Sequence, residues 1–535
     1  MRAQHDLFTP LLQSAPQIIC RLRTIGRNDD EQTALDAILR EVQRFGRKHV
    51  DGAAIDRRGA LGPELLGAIA ERGWFGLTIP EAHGGAGLSL SAATRVVSEL
   101  CFFNGSLGTC VGLHSGLALF GLIHLASPEL QARYLPEIAA GERIAAFAAT
   151  EPNAGSDIGA MRTLLAEHDG KLLLRGSKCY VTNGGFANVL TVVASSPGMG
   201  GARSGHTIVV VDPSWPGVTR QGEEHKLGLK GSSTITIDFD DVQIPRDHVV
   251  GELGKGLELA HRALTWGRTF MAAGCLGSAR AAYAEARSHT AQRVQFGRSL
   301  DKFPLVREQL AGCAADVCAV ESVIYLVCDI FDAHAGDIAL DSTVAKIAAS
   351  ELTWNVIDRG LQLMGGAGVI EEYGMARRLR DVRVTRIFEG ANDVLRLHLA
   401  SATLGWPRKG LVEFPALAPH VPLALREAAA DFDAMLAQVG PAVGDVQKKY
   451  GFKLFERQPL QAWMADMLIP TYASLAVLLR AAGRVRDDDT PATSPELATA
   501  LIAVSRLTVE ARRALAQVRA GANDQALALA DAALA

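Results

Sequence analysis

Cysteine is scarce in this chain, eight in 535 residues with no CxxC pair. That excludes a disulfide framework and a cysteine-rich zinc site, and it fits a reducing compartment. Cys313 and Cys318 lie among apolar residues at helical spacing and read as small core residues. An excess of positive charge is also missing. The formal net charge is −4, so there is no basic field to hold nucleic acid or an anionic membrane. The basic run Arg377-Arg378-Leu379-Arg380 has Glu371, Glu372 and Asp381 nearby and reads as a solvated helix face. Near the N-terminus stand Arg2, Arg21, Arg23 and Arg27, but Asp6 comes early and no apolar stretch follows. No secretory signal is expected, and a transit peptide has little support.

Charge of either sign is absent from Gly105 to Ser127, a length that could cross a bilayer. Five glycines interrupt it, together with Ser106, Thr109, His114 and Ser115. A buried helix lining a cavity is the expectation, with His114 a satisfied core histidine. Alternation of strands and helices is lacking too, which argues against a doubly wound nucleotide-binding domain. Gly251-Glu252-Leu253-Gly254-Lys255-Gly256 and Gly365-Gly366-Ala367-Gly368 are not GxGxxG following a strand. In Gly112-Leu113-His114-Ser115-Gly116 the serine is one place out of register for a nucleophile elbow.

A chain this long needs about three or four domains. Residues 1–145 read as helices. Asp30 to His49 and Leu61 to Arg72 have apolar residues at three- and four-residue spacing, with Pro63 starting the second and Gly73 closing it. In 146–252 the pattern changes to short runs rich in β-formers: Leu172 to Leu174, Val189 to Ala194, Thr207 to Val211 and Thr234 to Phe239. Turn residues punctuate them, as in a small antiparallel domain. Helical spacing returns over 253–404. Residues 405–535 comprise a proline-bearing connector, Gly405 to Pro422, and three helical stretches. These run from Leu423 to Val439, Gln461 to Val485 and Pro495 to Ala520, with Gly440-Pro441 expected to break the chain after the first.

Chemistry concentrates in two segments. One is Phe147-Ala148-Ala149-Thr150-Glu151-Pro152-Asn153-Ala154-Gly155-Ser156-Asp157, the other Gly176-Ser177-Lys178-Cys179-Tyr180-Val181-Thr182-Asn183-Gly184. Hydroxyls and glycines in a turn before strands can bond a flat, polar heterocycle approached closely by backbone. Three further elements follow in order: Arg293-Val294-Gln295-Phe296-Gly297, Gln362-Leu363-Met364-Gly365-Gly366-Ala367-Gly368, and Arg386-Ile387-Phe388-Glu389-Gly390-Ala391-Asn392-Asp393-Val394-Leu395-Arg396. Leu77-Thr78-Ile79-Pro80-Glu81 and Gly84-Gly85-Ala86-Gly87 lie upstream. Together these resemble the signatures of the acyl-CoA dehydrogenase family over roughly residues 35 to 405.

The resemblance implies an α+β, mainly α fold: an N-terminal helical domain, a central small antiparallel β domain, a C-terminal four-helix bundle carrying a catalytic glutamate, and here an extra helical C-terminal domain. It implies FAD as cofactor. Thr150, Ser156 and Thr182 would bond the flavin ring or the adjoining ribityl and phosphate groups. Tyr180 would lie against the ring, where the family usually has Trp. Ala391 and Asp393 fall in the same cofactor-contacting set, and Ser156, Arg268 and Gly390 would touch substrate. Arg293, Phe296, Gln362 and Gly366 match residues that hold the adenosine-pyrophosphate end from a neighbouring subunit, which implies a homodimer. A planar guanidinium fork suits a pyrophosphate.

On the same resemblance Glu389 is the base that takes the α-proton of an acyl thioester. Its backbone N–H and a flavin ribityl hydroxyl would hold the thioester oxygen. Some relatives carry the base directly before a motif arginine on another helix. Here that arginine is Arg268 and Gly267 precedes it, so Glu389 has no rival. The chain departs from the pattern at Ala391, where the family has Thr, and at Pro304, where many members have Gln. No metal is expected.

Thr109, Cys110, Gly112 and Leu113 are small or apolar where the family closes its acyl pocket, which suggests a medium- to long-chain acyl-CoA; an acyl carrier protein is the alternative carrier. The implied setting is fatty-acid β-oxidation in a bacterial cytoplasm or mitochondrial matrix, with an electron-transfer flavoprotein as acceptor. The extension after Gly405 resembles the helical domain of the very-long-chain branch, which is dimeric and peripherally membrane-bound. Within it Met467 to Leu479 is apolar, too short to span a bilayer and contains Pro470. Core packing is expected, with a membrane interface as the alternative. Two rival functions share the fold: an oxygen-using flavin oxidase or monooxygenase, and a non-enzymatic assembly scaffold.

Overall fold

The computed structural model describes residues 8, 11, 13–24, 29–201, 205–333, 337–406, 414–521 and 532–533. Arg2, Asp6, Arg27 and the connector's 407–413 lie outside the described residues.

The N-terminal helices are α1 (Ala15–Thr24), α2 (Asp29–His49), α3 (Gly52–Arg58), α4 (Pro63–Ala70), α5 (Leu90–Phe103), α6 (Gly105–Leu113), α7 (Phe120–His124) and α8 (Pro128–Ala139). Their ends follow local chemistry. The Asn104 side chain accepts from Leu107 N to cap α6, Asp51 caps α3, and Pro63 opens α4, where no N–H is needed. The uncharged stretch is interior: 89% of its apolar window over Gly105–His124 is buried. A π-helical turn, His114–Ala118, interrupts it. His114 Nε2 lies 3.0 Å from Phe75 O, and Nδ1 accepts from Ala145 N at 3.0 Å. Burial pushes its pKa down to about 4. It is a neutral, satisfied core histidine, as expected.

The central sheet has eight strands: β1 (Ala145–Ala148), β2 (Leu164–His168), β3 (Lys171–Thr182), β4 (Val189–Ser195), β5 (His206–Val211), β6 (Val218–Glu223), β7 (Thr234–Ile244) and β8 (Val249–Val250). The order is β6-β7-β3-β2-β4-β5-β8, with β1 also on β4. The expected antiparallel sheet is in fact mixed, because β1 and β2 both pair with β4 in parallel. Strands β4 and β5 are buried at nearly every position, which explains why they read as unbroken apolar runs. Strand β6, exposed along most of its length, carries no apolar pattern and escapes detection in the sequence.

The chain then turns helical: α9 (Gly256–Gln292), a hairpin of β9 (Val294–Gln295) and β10 (Arg298–Ser299), α10 (Pro304–Asp332), α11 (Ala339–Met364), α12 (Met375–Arg383) and α13 (Asn392–Ala402). Helices α9, α10 and α11 pack on one another, and α13 leans on α11 as the fourth member. Pro304 occupies the first turn of α10 and so costs no hydrogen bond.

The extension folds as α14 (Arg426–Tyr450), α15 (Gln458–Ala482) and α16 (Pro495–Ala520). Gly440-Pro441 does not break the first stretch: α14 runs through Pro441 for 25 residues. Val439, Gly440, Ala442 and Val443 are all buried there, and this packing outweighs the roughly 3 kcal/mol that an interior proline costs. Helix α15 is 25 residues long, hence long and apolar enough to cross a membrane by length and composition, yet 83% of its apolar window is buried. It packs against α10, α13, α16 and α1, in keeping with the core-packing expectation. Arg480–Glu321 (2.8 Å) and Arg396–Asp466 (2.8 Å) tie it to α10 and α13. Tyr472 Oη donates to Asp341 Oδ1 at 2.6 Å, joining it to the start of α11.

Candidate active site

One cavity of about 1610 Å³ is lined by, among others, the segment after β1, the end of β3, α6, α9 and the loop leading into α13. The sheet side is set by a buried ion pair. Lys178, fully buried on β3, donates to Glu151 Oε1 at 2.7 Å and to Ala149 O at 2.9 Å. Glu151 also accepts from Thr163 N at 2.9 Å. Burial would raise its pKa, but Lys178 and the backbone donors outweigh that and hold it below the usual carboxylate range. The pair locks the Thr150 segment onto β3, and Cys179 N donates to Thr150 O at 2.9 Å. An irregularity in pairing between Lys178 and Val181 puts Tyr180 at φ +56°, turning its ring outward. Tyr180 and Thr182 therefore lie in a bulged strand, not in a turn before strands as the sequence suggested.

Thr150, Ser156, Tyr180 and Thr182 all line the cavity. Asn183 joins them; its Nδ2 donates to Cys110 O at 2.9 Å, while its buried Oδ1 has no hydrogen-bond partner. A buried, unsatisfied acceptor costs roughly 1–3 kcal/mol unless a ligand completes it. An exposed aromatic ring and three hydroxyl-bearing residues lining one cavity fit the flat face and polar edge of a flavin.

Glu389 lines the same cavity, at φ +56° in the tight loop before α13. The residue as a whole is partly exposed to the cavity, whereas its Oε2 is buried and unpartnered. Burial pushes its pKa up to about 7, against the opposing charges of Arg268 and Lys346. A carboxylate tuned this way suits proton abstraction near neutral pH. Arg268 Nε donates to Glu389 O at 3.1 Å and its Nη1 to Thr343 Oγ1 at 3.2 Å. Gly390, Ala391 and Arg268 also line the cavity.

The remaining expected residues lie elsewhere. Arg293, Gln362 and Gly366 are exposed and outside the cavity, and Phe296 is 90% exposed at the tip of the β9–β10 hairpin. Asp393 is exposed in the first turn of α13 and does not line the cavity. Reasoning from sequence assigned no role to Lys178, Glu151, Asn183, Thr343 or Lys346. The first three lie inside the quoted motifs, so their polarity at inward-facing positions was an available signal; Lys346 and Thr343 carried none. Among the described residues no group of three or more His, Cys, Asp or Glu could hold a metal ion.

The comparisons with known proteins agree with this geometry. The acyl-CoA dehydrogenase N-terminal, middle and C-terminal domains match residues 31–142, 146–242 and 254–404. The chain is 36% identical over 379 residues to the very long-chain specific acyl-CoA dehydrogenase, mitochondrial, of Bos taurus, a match covering 70% of this chain and 58% of that protein's length. It resembles the solved butyryl-CoA dehydrogenase of Megasphaera elsdenii with TM-score 0.66 and 30% identity, over 69% of this chain and 98% of that one. The acyl-CoA dehydrogenase of Bacillus anthracis, solved with FAD, aligns with TM-score 0.78 and 26% identity over 97% of this chain and 89% of its own, C-terminal helices included. With all three domain families matched in order and nearly the whole of a solved relative covered, the chain belongs to the acyl-CoA dehydrogenase family.

Proposed function

We propose that the chain is an FAD-dependent acyl-CoA dehydrogenase, with Glu389 as its base. The observation that carries the reading is that Glu389, whose buried Oε2 has no hydrogen-bond partner, lines the same cavity as Thr150, Ser156 and Thr182. Bound FAD would supply the acceptor for the β-hydrogen and its electron pair. Glu389 would remove the α-proton, so that loss of the two hydrogens leaves a carbon–carbon double bond. A positioned base contributes about 10²–10⁴ in rate, most effectively near its own pKa. Arg268, held between Glu389 O and Thr343, positions the loop that carries the base. Thr150, Ser156, Thr182 and Asn183 would hold the cofactor, with Tyr180 against its ring.

Small and apolar residues lining the cavity, Thr109 and Leu113 among them, support a medium- to long-chain acyl-CoA. The exposed Arg293, Phe296, Gln362 and Gly366 support a homodimer in which each subunit reaches its partner's cofactor. The family setting favours fatty-acid oxidation, with an electron-transfer flavoprotein as acceptor.

The test is an anaerobic titration of the purified protein with saturated acyl-CoAs of increasing length, following the flavin absorbance. Bleaching with a length optimum is the expected result. A yellow protein that no acyl-CoA bleaches would shift the substrate to another carrier or acyl class. A colourless protein that FAD cannot reconstitute would overturn the reading.

A further inference from the structure

Glu389 is held by two cations from two different helices. Arg268 of α9 donates to the Glu389 carbonyl. Lys346 of α11, fully buried, reaches the next one: Nζ donates to Gly390 O at 2.7 Å and to Asn392 Oδ1 at 2.6 Å. Asn392 is fixed in turn, its Nδ2 donating to Ser350 Oγ and to Glu351 Oε1, both at 2.9 Å. Glu351 pairs with Arg386 at 2.7 Å on the other side of Glu389. Residues 346, 350 and 351 of a single helix thus clamp the loop before and after the base. That matters because a non-glycine residue at φ +56° persists only where its surroundings over-determine it.

We propose that Lys346 is a positioning residue for the base: its ammonium clamps the loop at Gly390 and Asn392 and adds to Arg268 a second buried positive charge that favours ionisation of the Glu389 carboxylate. The proposal rests on Glu389 being the base. Few charges face the carboxylate: Arg268 on α9 and Lys346 on α11. Lys346 itself faces Cys275 and Arg268 on α9, Glu351 on α11 and Glu389. Burial pushes Lys346 down to about 8, so it remains a cation around neutral pH. His261 of α9 and His398 of α13 also border the cavity and interact with Arg268; burial pushes both down, so neither adds charge there at neutral pH. Arg268 is held by Glu389 O and Thr343, and Lys346 by Gly390 O and Asn392 Oδ1, so removing Lys346 changes both charge and clamp, and two variants are needed to separate them.

The experiment uses Lys346→Met, which removes both clamp and charge, and Lys346→Gln, which can still donate to Gly390 O but has no charge. First, the rate of flavin reduction is measured against pH in the holoenzyme. The acid limb is expected to move up by about one pH unit in both variants. The plateau at high pH is expected to fall about tenfold or more in Lys346→Met and much less in Lys346→Gln. A profile that only scales down uniformly in both would overturn the electrostatic role, and equal plateaus would overturn the clamp. Second, thermal unfolding is followed between pH 5.5 and 7.5 in the Glu389 and Glu389→Gln backgrounds. The loss caused by Lys346→Met or Lys346→Gln is expected to grow with pH beside Glu389 and to stay flat beside Gln. Equal slopes in the two backgrounds would sink the coupling. Should no acyl-CoA bleach the wild type, the dehydrogenase reading fails on its own, while the unfolding slopes still decide whether Lys346 and Glu389 are coupled.

Discussion

Gly267 on α9 stands against the carboxylate of Glu389: a Cβ at position 267 would lie 2.8 Å from Glu389 Oε2 and 3.0 Å from Leu117 Cδ1. Position 267 and the Glu389 carboxylate thus compete for the same space. A side chain at 267 would require the Glu389 carboxylate to shift. Gly267→Ala should displace the carboxylate and slow flavin reduction by roughly 10- to 100-fold, since a shift of about 1 Å in reacting groups costs on that order. Flavin content should not change. Stopped-flow reduction of the purified variant checks this, and an unaltered rate would remove Glu389 from the chemistry.

Glu389→Gln should abolish bleaching by acyl-CoA while leaving the protein yellow, a loss of about 10²–10⁴ in rate or more. It should also change the pH dependence of stability. The folded-state pKa, about 7, lies above the ordinary 4.5. The folded state therefore binds the proton more tightly, and stability is lost as pH rises from 4.5 through 7. The loss is on the order of 3 kcal/mol. The glutamine variant lacks it, so thermal melts at pH 5 and pH 8 should differ less in the variant than in the wild type.

A second, small cavity of about 40 Å³ adjoins the first, sharing Thr109, Leu113, Leu229 and Phe388 with it, and is also lined by Gly112 and Gly274. Added bulk there shortens the space left for an acyl tail. Gly274→Leu should move the acyl-CoA length optimum to shorter chains with little effect on the shortest substrates. An unchanged optimum in the same titration would place the tail elsewhere.

Tyr472→Phe removes the donor to Asp341, whose pKa burial raises to about 6. The carboxylate left without that donor is buried, so the variant should lose about 1–3 kcal/mol of stability at pH 8. At pH 5 the carboxyl is protonated and the loss should be smaller. Denaturant unfolding at the two pH values checks this, and equal losses would show that the hydroxyl matters only for packing.

Arg293→Ala should reduce retained FAD without altering the fold of the subunit, because Arg293 is exposed and touches none of the cavity. The flavin-to-protein absorbance ratio after gel filtration reads the effect. Full retention would argue against a cofactor site shared between subunits.

Much of this was legible in the residues themselves. Helix ends at Asn104, Pro63 and Pro304 follow from capping and from proline's missing N–H, which act within a few residues. The hydroxyls at Thr150, Ser156 and Thr182 and the carboxylate at Glu389 sit in short segments whose composition is distinctive, and the fold delivers all four to one cavity. What escaped depends on partners far along the chain. Pro441 lies inside a helix because the flanking side chains are buried, and β1, composed of three alanines and one phenylalanine, is a strand because β4 pairs with it. Arg268 meets Glu389 across 121 residues, Lys346 meets Gly390 across 44, and Tyr472 meets Asp341 across 131. The sequence by itself determined which groups could do the chemistry, because that is a property of side chains and their immediate neighbours. Only the tertiary structure decided the protonation of Glu389 and what holds it, because burial and the field of distant cations arise when the helices pack.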